Sequence, residues 1–166
     1  MHPTVATLVQ RFDLKPHPEG GFYSETYRSL EIIPASALPD RFTGDRYFSS
    51  AIYFLLEKGN FSAFHRIKSE ECWHFYSGDP LWIHVLYEDG RAETITLGNT
   101  ADAVYQFVVP AGCWFASETA PTGIFSLVGC TVAPAFDFAD FELAKAEELI
   151  RNYPAHQNLI QRLCRQ

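Results

Sequence analysis

Between Ser50 and Val132 the chain reads as eight short runs of strand-forming residues, each closed by a turn signal, and this pattern constrains the fold more than any other feature. The runs are Ser50–Leu56, Ser62–Ile67, Glu71–Tyr76, Leu81–Tyr87, Ala92–Leu97, Gln106–Val109, Cys113–Ser117 and Phe125–Val132. Gly59, Gly78, Asp89-Gly90, Gly98, Pro110-Ala111-Gly112 and Pro121-Thr122-Gly123 punctuate them. Strands this short and this closely spaced predict a sandwich or barrel. Upstream, Val5, Leu8, Val9 and Phe12 share one face at helical spacing, predicting a helix over Thr4–Phe12. The segment Lys15-Pro16-His17-Pro18-Glu19-Gly20-Gly21 cannot extend that helix and reads as a turn into a strand over Phe22–Arg28. Residues 30–47, with Pro34, Pro39 and Gly44, read as a surface loop or lid. Downstream, Phe141, Leu143, Ala144, Leu149 and Ile150 predict a helix over Asp140–Tyr153, and Leu159, Ile160 and Leu163 a last short one. One domain over 1–166 results, with the barrel at about 20–135 and a helical segment at about 139–164.

Composition narrows the partners. Thirteen basic against twenty acidic side chains give a net charge of −7, and the basic residues are scattered, so nucleic acid is not expected. No apolar run approaches the ~20 residues of a membrane span, and the N-terminus lacks the charged-then-apolar pattern of a secretory signal, so a cytoplasmic protein with no membrane partner is expected. Cys72, Cys113, Cys130 and Cys164 form no C-x-x-C pair and read as reduced thiols. An aromatic content of 15% suits a sheet-rich protein with a lined cavity. Phosphate-binding loops, H-E-x-x-H and G-x-S-x-G are absent from the sequence, which removes the usual grounds for nucleotide hydrolysis, zincin proteolysis and serine-elbow hydrolysis.

Chemistry concentrates in Gly59–Gly78. Strand alternation puts His65 and Ile67 on one face, and a three-residue turn brings Glu71 onto the next strand with Trp73 and Phe75 at the same parity. A histidine and a glutamate can therefore face one cavity. Glu25 and Tyr27 alternate with Thr26 and Arg28 on the preceding strand, so either pair could line that cavity while the other meets solvent.

At these positions the chain resembles the cupin superfamily. Gly59, His65, Glu71 and Gly78 fall on the marks of its first motif, G-x5-H-x-H-x3-E-x6-G, with Ile67 at the second histidine. Pro110-Ala111-Gly112 matches the opening of its second motif, P-x-G-x2-H, with Phe115 at the histidine. Pro16–Arg28, Trp73–Gly78 and Gly129–Pro134 resemble the functionally uncharacterised cupin family five. The resemblance implies an all-β fold, a cupin-type jelly-roll β-barrel flanked by an N-terminal helix and C-terminal helices. It also implies a homodimer and a small-molecule ligand in the open end.

Metal-binding cupins hold their ion with three histidines and a glutamate. Here only His65 and Glu71 remain, too few for a tight site, and alternation turns His74 away from them. No cofactor is therefore expected, and a metal, if held, would take His65 and Glu71. The resemblance extends to metal-independent sugar epimerases, in which a barrel histidine is the base and a tyrosine the acid. It implies an isomerase or epimerase on a small polar substrate. His65 and Glu71 would be catalytic, with Glu71 orienting the imidazole, and Glu25, Tyr27, Arg28, Trp73 and Phe115 would bind ligand. Tyr23, Tyr27, Tyr53 and Tyr76 are all open as the acid. A non-catalytic binding protein and a metal-dependent cupin enzyme are the competing expectations.

Overall fold

Burial alternates along the strands in the way an enclosed barrel requires: on one strand Glu71, Trp73 and Phe75 are buried while Glu70, Cys72, His74 and Tyr76 are not. The computed structural model describes residues 2–165. Helix α1 (Pro3–Arg11) leads into β1 (Lys15–Pro16), β2 (Phe22–Arg28), β3 (Ile32–Ile33) and β4 (Arg46–Tyr47). The barrel continues through β5 (Ser50–Glu57), β6 (Phe61–Arg66), β7 (Glu70–Gly78), β8 (Leu81–Leu86), β9 (Ala92–Leu97), β10 (Gln106–Val109), β11 (Trp114–Thr119) and β12 (Phe125–Ala133). After it come β13 (Glu142–Leu143), α2 (Ala146–Asn152) and α3 (Gln157–Leu163).

Two antiparallel sheets face each other, ordered β1-β2-β5-β12-β7-β10 and β13-β6-β11-β8-β9. From β5 to β8 and again from β9 to β13 consecutive strands alternate between the sheets, as in a jelly roll, while β8 and β9 pair as neighbours within one sheet. Phe54, Leu56, Trp73, Ile83, Val85, Phe115 and Val128 fill the space between them. Each sheet hides part of its outer face under helix: Val5 of α1 with Leu14 covers Leu55 and Leu127, while Leu149 of α2 and Ile160 and Leu163 of α3 cover Phe64, Leu86 and Ala116. Among the described residues no helix is long and apolar enough to cross a membrane.

Two expectations change. Asp140–Tyr153 is not one helix: a short 3-10 turn at Phe138–Asp140 is followed by β13, and α2 begins only at Ala146. The open edge of β6 captures this segment, pairing Glu142 with Arg66 and Leu143 with His65. Residues 30–47 contain paired strands, with Ile32 opposite Tyr47 and Ile33 opposite Arg46. This excursion is anchored, because Arg46 donates to both oxygens of the buried Asp140 at 2.6 and 2.7 Å. The two segments that flank the barrel mouth are thereby tied together.

Candidate functional site

At the end of the barrel not filled by the core lies a cavity of about 450 Å³, within the size range of small-molecule sites. Its deepest polar groups come from β6, β7 and the turn before β2. His65 and Glu71 both point into it. Each is buried, 2% and 8% exposed, because each occupies an inward position on its strand.

His65 Nδ1 lies 2.7 Å from the carbonyl oxygen of Ala63. A carbonyl can only accept, so Nδ1 carries the proton. Nε2 faces Glu19 Oε2 at 3.2 Å. Burial lowers the pKa of His65 despite the nearby Glu71 charge and the Ala63 hydrogen bond. Burial raises that of Glu19 against the opposing effects of His17, Ser62 and Arg165. Both shifts favour the uncharged forms, in which the Glu19 hydroxyl donates to His65 Nε2 and one proton lies between two groups able to carry it.

Glu71 is held at about 7, chiefly by burial, with Glu19 adding to the rise and His65 and the Cys130 hydrogen bond opposing it. The Cys130 thiol is pushed well up by burial and by Glu71, and stays protonated as the donor. The orienting role expected of Glu71 therefore falls to the Ala63 carbonyl and Glu19, while Glu71 stands as a separate carboxyl near the neutral point.

Glu19 is the group that alternation and spacing did not single out. Its Oε1 accepts from Ser62 at 2.7 Å, and its backbone N–H donates to His17 Nδ1 at 3.3 Å, so His17 carries its proton on Nε2. Burial lowers the His17 pKa as well. The signal in the sequence was the glycine pair after Glu19. Gly20 has φ +115°, and a Cβ there would lie 2.1 Å from the Phe61 carbonyl oxygen, so only glycine lets this turn press into the barrel end.

Nearer the mouth, Glu25 and Arg28 face the cavity together, although strict alternation assigns them to opposite faces. A bulge between Glu25 and Tyr27 in the pairing of β2 with β5 supplies the change of parity. Arg28 Nη2 reaches Glu25 Oε2 at 2.6 Å. Tyr27 is left facing out, 54% exposed, and does not line the cavity. Trp73 and Phe115 do not line it either: each is 1% exposed, and they pack edge to face, 6.2 Å apart, in the core. Phe115 lies opposite His65, with ring centroids 4.1 Å apart, so it braces the imidazole. Tyr23, Tyr47, Phe136 and Phe138 supply the aromatic wall.

These donors do not fit a metal ion of the kind metal-binding cupins hold. Two of the four positions are the apolar Ile67 and Phe115, and among the described residues no group of three or more His, Cys, Asp or Glu side chains is disposed to ligate one.

Comparison with known proteins agrees with this architecture. The family model described as cupin superfamily (DUF985) matches residues 6–144. The chain is 28% identical over 156 residues to the uncharacterized protein YML079W of Saccharomyces cerevisiae, covering 87% of this chain and 77% of the yeast protein. It superposes on protein SO0799 of Shewanella oneidensis with a TM-score of 0.85 at 40% identity, over 96% of each chain. A hypothetical protein from Leishmania major gives 0.88 at 31% identity, over 97% of this chain and 98% of that one. Oxalate decarboxylase of Bacillus subtilis gives 0.53 at 13% identity, over 89% of this chain and 36% of that one, a likeness of fold alone.

Proposed function

The chain belongs to the cupin superfamily, in its DUF985 branch, and on that premise we propose that it is a metal-independent isomerase or epimerase that moves a proton on a small polar carbonyl compound held in the barrel cavity. The observation that carries this reading is the buried set of Glu19, His65 and Glu71 in one cavity, with His65 Nε2 and Glu19 Oε2 3.2 Å apart and Glu71 at about 7. Proton transfer next to a carbonyl needs one group to take a proton from carbon and another to give one to oxygen, both near their neutral point.

In this reading the Glu71 carboxylate takes the proton from the carbon beside the carbonyl. The Glu19–His65 pair delivers its proton to the carbonyl oxygen, forming an enediol-type intermediate. Glu71 then returns its proton to the former carbonyl carbon while the other enediol hydroxyl gives its proton to the Glu19–His65 pair, which yields the isomer. Return to the original carbon after the enediol has turned its other face to Glu71, with the first hydroxyl's proton going back to the pair, yields the epimer. No electrons leave the substrate, and each group ends in its starting state. The Ala63 carbonyl accepts the hydrogen bond of His65 Nδ1–H and so holds the ring with Nε2 turned to Glu19 and the cavity. Burial removes competing water and strengthens each of these interactions.

The test uses untagged protein stripped of metal, incubated in deuterated water with a panel of aldoses, ketoses and hydroxyketones. The expected result is one solvent deuteron incorporated into one class of substrate, with His65→Ala and Glu71→Gln each slowing it by about 10²-fold or more. Undiminished exchange in His65→Ala, or exchange that appears only when a divalent metal is added, refutes the proposal.

A further inference from the structure

The charges on the cavity wall are lopsided. Glu19, Glu25, Glu71 and Asp137 bring carboxyl groups to it, whereas among its described lining residues Arg28 is the one permanent cation. Arg28 is already committed. Its Nε lies 3.1 and 3.2 Å from the two Glu25 oxygens, its Nη2 lies 2.6 Å from Oε2, and its Nη1 donates to the Phe136 carbonyl at 3.1 Å. Three of the five guanidinium N–H bonds are thus occupied and its charge is matched by a bidentate carboxylate. The bulge in β2 builds this pairing into the strand, because without it the two side chains would stand on opposite faces.

A phosphate or carboxylate entering the cavity would leave water for a wall of carboxyl groups with no unmatched cation to receive it. Hydroxyl groups meet the opposite situation. Glu25 and Asp137 offer acceptor oxygens, and the faces of Tyr47, Phe136 and Phe138 suit the apolar side of a ring or short chain. We infer that the cavity selects polyhydroxylated compounds that are uncharged or carry an amine and excludes phosphorylated or carboxylated ones, and that Glu25 sets this selectivity by neutralising Arg28.

The inference rests on the proposed use of this cavity but concerns which molecules enter it, so binding and turnover are read separately. Isothermal titration of metal-stripped protein compares fructose, glucosamine and small hydroxyketones with their phosphate esters, and inorganic phosphate serves as the bare anion. The expected result is binding of at least one uncharged or amine-bearing member, with its phosphate ester at least tenfold weaker. Glu25→Gln should free the guanidinium and improve binding of the phosphorylated member and of inorganic phosphate by tenfold or more.

Tighter binding of a phosphate ester to the wild type, an unchanged ratio in Glu25→Gln, or no binding by any member overturns the inference. Turnover of a phosphorylated substrate would sink the selectivity and leave the proton-transfer reading standing. Selective binding without deuterium incorporation would do the reverse.

Discussion

Replacing Glu71 by glutamine is expected to make the protein more stable at alkaline pH while removing its proposed activity. The side chain is buried and its carboxyl is held at about 7 instead of the ordinary 4.5. Below the lower value the group is protonated in both folded and unfolded chains and contributes nothing. Between the two values the folded chain keeps a proton that the unfolded chain has released, so stability falls as pH rises. Above about 7 the penalty is complete, and at 1.36 kcal/mol per unit it amounts to about 3 kcal/mol. Glutamine has the same shape, keeps an oxygen for the Cys130 thiol, and bears no charge to desolvate. The variant should therefore gain about 3 kcal/mol at pH 8 and less than about 1 kcal/mol at pH 5. At 2–4 °C per kcal/mol for a chain of this size, Tm should rise by roughly 6–12 °C at pH 8. Calorimetric melts of both proteins at the two pH values read this directly. An equal Tm difference at both, or a less stable variant at pH 8, refutes the assignment of a desolvated carboxyl to Glu71. The predicted trade of stability for a poised functional group is common at active sites.

Two further perturbations probe how the site is held. Arg46→Ala strands the buried Asp140 with Lys68, 3.5 Å away, as its remaining charged partner among the described residues. Loss of about 3 kcal/mol is expected in urea unfolding, and the double variant Arg46→Met/Asp140→Leu should lose less; equal losses would show that the unpaired charge is not the cause. Arg165→Ala removes donors to the carbonyl oxygens of Glu19 and Phe61 that clamp the turn bearing Glu19. A cost of about 1 kcal/mol is expected, with faster amide exchange at Gly20 and Gly21, and unchanged exchange there would count against the clamp.

The barrel was legible because its strands obey local rules. Ala92–Leu97 and Gln106–Val109 have the bounds their turn residues mark, and β2 runs over the predicted Phe22–Arg28. What local rules miss is set by partners distant in sequence. The bulge between Glu25 and Tyr27 exists only in the pairing of β2 with β5, so alternation alone could not place Glu25 and Arg28 on one wall. Phe141, Leu143 and Ala144 satisfy helical spacing, but the free edge of β6 draws this segment out, with Phe141 extended and Leu143 in a strand. Trp73 and Phe115 have the inward parity expected of them; parity does not report depth, and both lie below the cavity. Glu19 escaped because a carboxylate in a Pro/Gly-rich turn normally faces solvent, and it takes the close contact of Gly20 with Phe61 to bury it.

The proposed chemistry depends on where the protons are in the cavity, and NMR titration of ring nitrogens and side-chain carboxyls reads them. It predicts that His65 keeps its proton on Nδ1 from about pH 5 to 9, and that a carboxyl absent from Glu71→Gln titrates at about 7. A His65 protonated on Nε2 alone, or a Glu71 carboxyl titrating at the ordinary 4.5, would contradict it.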